Sequence, residues 1–138
     1  MINLIIGKKG SGKTKKLVEL SNQLTAKTAG NVVVISNEKK LTFDLSHKVR
    51  LISSSEYCIS DFCGLYGFIC GICAGNYDVT DILVDSIFAT DDVDKSDLIS
   101  FMEKLNSICD KNNTKLTLGL SVEKSDLPSE ILNLIEIK

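Results

Sequence analysis

Histidine, arginine and proline each occur once in the 138 residues, as His47, Arg50 and Pro128. The single histidine matters most beside the five cysteines, Cys58, Cys63, Cys70, Cys73 and Cys109. Cys70-Gly-Ile-Cys73 is a C-x-x-C, but there is no second C-x-x-C and only one imidazole to complete a zinc site. The segment around it is apolar, and cysteine behaves there as a small hydrophobe. Packing is therefore the expected role, ahead of metal or redox chemistry, with free thiols and no bound metal. No apolar run is long enough to span a bilayer. The nearest, Phe62 to Ala74, reads as a core helix. No secretory leader is legible, because Lys8 and Lys9 follow only a few apolar residues. A net charge of −2 implies no broad basic face and argues against general nucleic-acid binding. These absences point to a cytoplasmic chain with reduced cysteines.

What is present is one domain's worth of sequence, 1–138, 43% hydrophobic and 25% charged. Near its start stands Gly7-Lys8-Lys9-Gly10-Ser11-Gly12-Lys13-Thr14, a complete match to G-x-x-x-x-G-K-[ST]. Ile2 to Ile6 before it suits a buried strand. Lys15 to Ala29 after it has helical spacing, with Leu17, Leu20, Leu24 and Thr28 on one face. Glycines let such a loop take positive φ and bring its amides close to phosphate oxygens, at a helix N-terminus that favours negative charge. In this pattern Lys13 reaches the β- and γ-phosphates, and the Thr14 hydroxyl ligates Mg²⁺. An empty loop would leave Lys13 facing solvent. Residues 7–14 are thus the expected nucleotide-binding set, with Lys8, Lys9, Lys15 and Lys16 adding positive charge.

Downstream, strand and helix signals alternate. Ala29-Gly30 reads as a helix end. Val32 to Ser36 is a β-branched run suited to a parallel strand covered on both faces. Lys39 to His47 suggests a hairpin arm or ordered loop, and Val49 to Ile52 another strand. Ser53 and Glu56 are spaced as a capping box, which predicts a helix from there to about Gly75. Gly64, Gly67, Gly71 and Gly75 would form a stripe on that helix. Each costs about 1 kcal/mol relative to alanine, so close approach to the sheet or a neighbouring helix is expected to offset it, with a glycine-lined subunit interface as the alternative. Asp81-Ile82-Leu83-Val84-Asp85 has the form of a Walker B strand, placing Asp85 opposite Thr14 as a Mg²⁺ partner through water. An acidic loop with Asp91, Asp92 and Asp94 follows. Ser96 to Asn112 is an amphipathic helix, Leu116 to Val122 a strand, Pro128 the first turn of a short helix, and Leu134 to Ile137 a last strand. The alternation predicts an α/β three-layer sandwich with a mainly parallel sheet, the P-loop NTPase fold.

On Gly7–Thr14, Asp85 and this order of elements, the chain resembles P-loop NTPases of the additional-strand, RecA-like division. That resemblance implies ATP and Mg²⁺ as ligands. It also assigns a catalytic role to Glu38, at the end of Ile35-Ser36-Asn37-Glu38, as the group that polarises the attacking water. Ile82 to Leu120, with Val84-Asp85-Ser86-Ile87-Phe88, is similar to thymidine kinase cores, which carry a glutamate where this chain has Ser86. Ile35 to Phe43 resembles the acidic box of twitching-motility and secretion ATPases, and Asp81 to Val84 their Walker B strand. Arg50 is the only arginine in the chain able to face a transition state. No N-K-x-D guanine motif occurs, so ATP is the expected nucleotide. The leading expectation is a small Mg-ATP-binding protein with slow hydrolysis, acting with a protein partner or as a homo-oligomer. Two alternatives stay open: a nucleotide-dependent switch without catalysis, and a nucleoside or small-molecule kinase relative. Asp91 and Asp92 compete with Glu38 for the acid/base role.

Overall fold

Residues 2–86 and 93–138 are described by a computed structural model. Six strands form one all-parallel sheet: β1 (Ile2–Ile6), β2 (Asn31–Ser36), β3 (Val49–Ser53), β4 (Val79–Val84), β5 (Lys115–Leu120) and β6 (Ile135–Ile137). Their order across the sheet is β3-β2-β4-β5-β1-β6. β5 therefore separates β1 from β4, pairing Leu4 with Leu118 on one side and Val84 with Leu118 on the other. The helices are α1 (Lys13–Lys27), α2 (Leu41–Asp44), α3 (Phe62–Gly75), α4 (Lys95–Lys111) and α5 (Ser129–Leu132). A 3₁₀ turn at Lys124–Asp126 precedes α5.

The β-branched run of β2 serves both faces of the sheet, as side-chain alternation requires. Val32 and Val34 join Ile5, Leu17 and Leu83 in a core beneath α1 and α2. Val33 and Ile35 join Ile82, Val84, Leu116 and Leu118 beneath α3 and α4. Helices on both faces of a parallel sheet make three layers. The amphipathic spacing of α4 holds: Leu98, Phe101, Met102, Leu105 and Cys109 are its buried residues. In a parallel sheet each helix that follows a strand starts at the strands' C-terminal end. The N-termini of α1, α3 and α4 thus gather at one end of the molecule.

Three sequence expectations need correction. Ser53 and Glu56 do not cap a helix. Ser54 is buried and its hydroxyl bonds Asn37 Oδ1, while its carbonyl accepts from Ile59 N at 3.0 Å, so the chain turns there instead. The cap of α3 is Asp61, whose carboxylate accepts from Gly64 N at 2.7 Å. The glycine stripe is not packed closely on the sheet or on another helix: a Cβ at Gly64 would meet only the Asp61 carboxylate, at 3.2 Å, and one at Gly67, Gly71 or Gly75 would find open space within 4 Å. α3 buries Leu65, Ile69 and Cys73 instead. Gly30 does not end α1, whose C-cap is the extended Thr28. It lies against the start of β4, where a Cβ would collide with the Thr80 side chain and stand 2.7 Å from Asp78 O. Of the two expectations for Lys39 to His47, the ordered loop fits: the segment holds the single turn α2 and no strand. Among the described residues no helix is long and apolar enough to cross a membrane.

Candidate phosphate and metal site

The loop between β1 and α1 has the backbone that its glycines allow. Gly10 and Gly12 hold φ of 85° and 91°, a region that costs other residues strain. Gly7 is needed for space, since a Cβ there would run into the Ser11 side chain. The loop is braced at both ends: Gly7 N donates to Val122 O at 3.1 Å, and Ser11 N donates to Lys8 O at 3.0 Å. Lys8 also reaches Glu123 at 3.3 Å, an exposed pair of little energetic weight. Lys9 is exposed.

α1 begins without any anion of its own. Its N-cap is Gly12 in the left-handed region, no side chain caps it, and no acidic residue stands in its first turn. The first turn reads Lys13, Thr14, Lys15 and Lys16 instead. Among the described residues the amides of Gly12, Lys13 and Thr14 donate to no partner. Unpaired amides and the positive end of a helix dipole meet here, in a first turn that carries three lysines. That is the chemistry that binds an oxyanion.

Lys13 departs from expectation. It is buried, with 8% exposure, and its ammonium donates to Gly7 O at 3.0 Å and Lys8 O at 2.9 Å. The side chain folds back over the loop, because burial demands partners for a charged donor and the loop's own carbonyls supply two. A third N–H remains for another acceptor.

Opposite the loop, Asp85 follows β4 directly and is 6% exposed. Its backbone amide donates to Ile35 O at 2.9 Å, continuing the ladder between β2 and β4 past the end of β4. Its carboxylate gathers donors from three directions. Thr14 Oγ1 lies 3.0 and 3.2 Å from the two oxygens, Ser86 N donates to Oδ1 at 3.0 Å, and Ser36 Oγ donates to Oδ2 at 3.0 Å. Among the described residues no lysine or arginine pairs with it. A buried carboxylate with only neutral donors is a place for a cation. The oxygens available, Thr14 Oγ1 and the Asp85 carboxylate, are hard ligands suited to Mg²⁺, which takes one or two protein ligands and leaves the rest to water and phosphate. No group of three or more His, Cys, Asp or Glu residues is gathered to hold a metal among the described residues.

The other aspartate of β4 has a different setting. Asp81 lies at the opposite end of the strand, and burial pushes its carboxyl above the usual range, against the pull of Thr80 and Lys115. Burial likewise pushes the Cys109 thiol up to about 12, and all five cysteines are free.

Compared with known proteins, the chain matches no family model and no curated protein.

The structure thus brings together Lys13, Thr14 and Asp85 out of the residues singled out in the sequence. Glu38 stands two residues beyond β2, at the same end of the sheet, with an exposed side chain. Arg50 is not brought to the site: it lies beside Val33 on the edge strand β3, in the half of the strand away from this end. Asp91 and Asp92 lie outside the described residues. Sequence reasoning missed Ser36. A serine ending a β-branched strand carries no motif, and only the sheet order, which sets β2 beside β4, reveals its neighbour.

Proposed function

We propose that the chain is a P-loop nucleotide-binding protein with the additional-strand, RecA-like arrangement, and that it binds Mg-ATP and hydrolyses it slowly. The observation that carries this reading is the start of α1: a glycine loop and a lysine-rich first turn with no capping anion, facing a buried carboxylate that has only neutral donors among the described residues. The strand order supports it as well, since β5 is interposed between the loop strand β1 and the Asp85 strand β4. Loop amides, Lys13 and the α1 N-terminus bind the phosphates. Thr14 and Asp85 hold Mg²⁺, which supplies positive charge against the phosphate oxygens. Glu38, on the loop beside Asp85, orients the attacking water in this reading.

Mass spectrometry of nucleotide retained by the purified protein tests the ligand. Single-turnover hydrolysis by Glu38→Gln tests the chemistry. The variant is expected to bind ATP and to lose roughly 10²–10⁴ in rate, because an amide is a poor acceptor for the proton of water. Wild-type turnover in that variant would remove Glu38 from the mechanism. Two features favour a second reading, a nucleotide-dependent switch read by a protein partner. The Glu38 side chain is exposed, and a hydroxyl, Ser86, follows Asp85 where related kinases carry a carboxylate. A wild-type protein that binds Mg-ATP without releasing phosphate would select this reading.

A further inference from the structure

We propose that Ser36 is the positioning residue of this site: its hydroxyl fixes the Asp85 carboxylate and the Glu38 turn in one relation to each other. The inference rests on the nucleotide-binding reading above and adds to it a residue that no motif contains. Ser36 is the last residue of β2 and is 2% exposed. A hydroxyl so deeply buried must have partners. It has one on each side, donating to Asp85 Oδ2 at 3.0 Å and accepting from Glu38 N at 3.0 Å.

The direction of this relay is fixed by the groups themselves. A backbone N–H can only donate and a carboxylate can only accept, so the single hydroxyl proton of Ser36 belongs to Asp85. The chain runs from Glu38 N–H to Ser36 O–H to the carboxylate. Its neighbours hold it in place: Ser54 N donates to Ser36 O at 3.2 Å, and the Ser54 hydroxyl bonds Asn37. The Glu38 turn is therefore tied to Ser54, just past β3, on one side and to Asp85 on the other.

The consequence concerns what holds Asp85 when a cation arrives. In the structure, Thr14 Oγ1 donates to the carboxylate. If the Thr14 oxygen turns its lone pair to a cation, that hydrogen bond is lost. Ser36 Oγ and the Ser86 amide then remain as the donors that orient Asp85. Groups that orient a metal ligand in this way typically control 10- to 100-fold in metal affinity. Alanine at 36 removes the only side chain among them.

The test compares wild type, Ser36→Ala, Ser36→Thr and Ser36→Cys by two measurements. The first is ATP binding by calorimetry, without metal and across a Mg²⁺ series. The second is hydrogen exchange of the Glu38 amide in the metal-free protein. Ser36→Ala is expected to bind ATP without Mg²⁺ as wild type does, to need roughly 10-fold more Mg²⁺ for its tighter binding, and to exchange its Glu38 amide faster. Threonine keeps the hydroxyl and should restore both properties. Cysteine, a weak donor of similar size, should behave as alanine does and replaces it if the alanine variant does not fold. Wild-type Mg²⁺ dependence in folded Ser36→Ala or Ser36→Cys overturns the role of Ser36 and leaves the nucleotide reading standing. A wild-type protein that binds no Mg-ATP overturns both.

Discussion

The three long helices α1, α3 and α4 all start at the same end of the sheet, and two of them supply their own negative charge. α3 is capped by Asp61 and α4 by Asp94, whose carboxylate accepts from Ser96 N at 3.3 Å, with Asp97 added in its first turn. α1 has glycine at the cap and lysines behind it. A capping side chain is worth about 1 kcal/mol, and an acid in the first turn about 0.3–1 kcal/mol. α1 forgoes both and adds like charge where the dipole is already positive. Two capped helices in the same chain show that aspartate caps are available to this fold. The uncapped helix is the one that follows the glycine loop and faces Asp85. The difference marks the start of α1 as the one long-helix N-terminus left without a capping anion, and the proposed reading puts the phosphates there.

The largest expected effect breaks the comparison at its centre. Lys13→Ala should weaken Mg-ATP by roughly 100-fold, about 3 kcal/mol for hydrogen bonds to a charged group. Because Lys13 also ties the carbonyls of Gly7 and Lys8, the variant should show faster amide exchange across the loop even without nucleotide. Unchanged affinity in calorimetry would mean that the lysine is only a clasp for the loop. Next comes Asp85→Asn, expected to raise the Mg²⁺ requirement by roughly 10- to 100-fold while ATP binding without metal changes little. Equal damage with and without Mg²⁺ would make Asp85 a structural residue.

Asp61→Ala sharpens the comparison from the other side. It removes a cap that is not at the site, so it should cost about 1 kcal/mol in denaturant unfolding and leave ATP affinity unaltered. The smallest effect is expected from Lys15→Glu, which gives α1 an anion of its own. Stability should rise by about 0.3–1 kcal/mol while ATP binds more weakly. A gain in stability with no loss of affinity would show that the first turn of α1 is not where the phosphates lie.

How much of this was legible beforehand follows the range of the interactions. The glycine loop, its flanking strand and helix, and the β-branched run of β2 are local patterns, and the alternation of elements led to the parallel sheet and the three layers. Asp85 was legible because a strand end is local too. Features set by distant contacts were not. Ser53 and Glu56 have the spacing of a capping box, yet the burial of Ser54 against Asn37 turns the chain, and Asp61 starts the helix. Gly30 looked like a helix end because nothing nearby reveals Thr80, fifty residues on. Lys13 was expected in solvent because a motif does not say what a side chain does when its ligand is away. Ser36 could not be seen until β2 was known to lie beside β4.

The central claim, that the α1 N-terminus takes an external phosphate, is tested most directly by amide chemical shifts. Mg-ATP is titrated into the labelled protein, and the backbone amides at the three helix starts are followed together. The account predicts saturable shifts at Gly10, Gly12, Lys13 and Thr14, with Gly64 and Ser96, whose amides already donate to Asp61 and Asp94, staying where they are. Loop amides that do not move, or equal movement at all three helix starts, would contradict it.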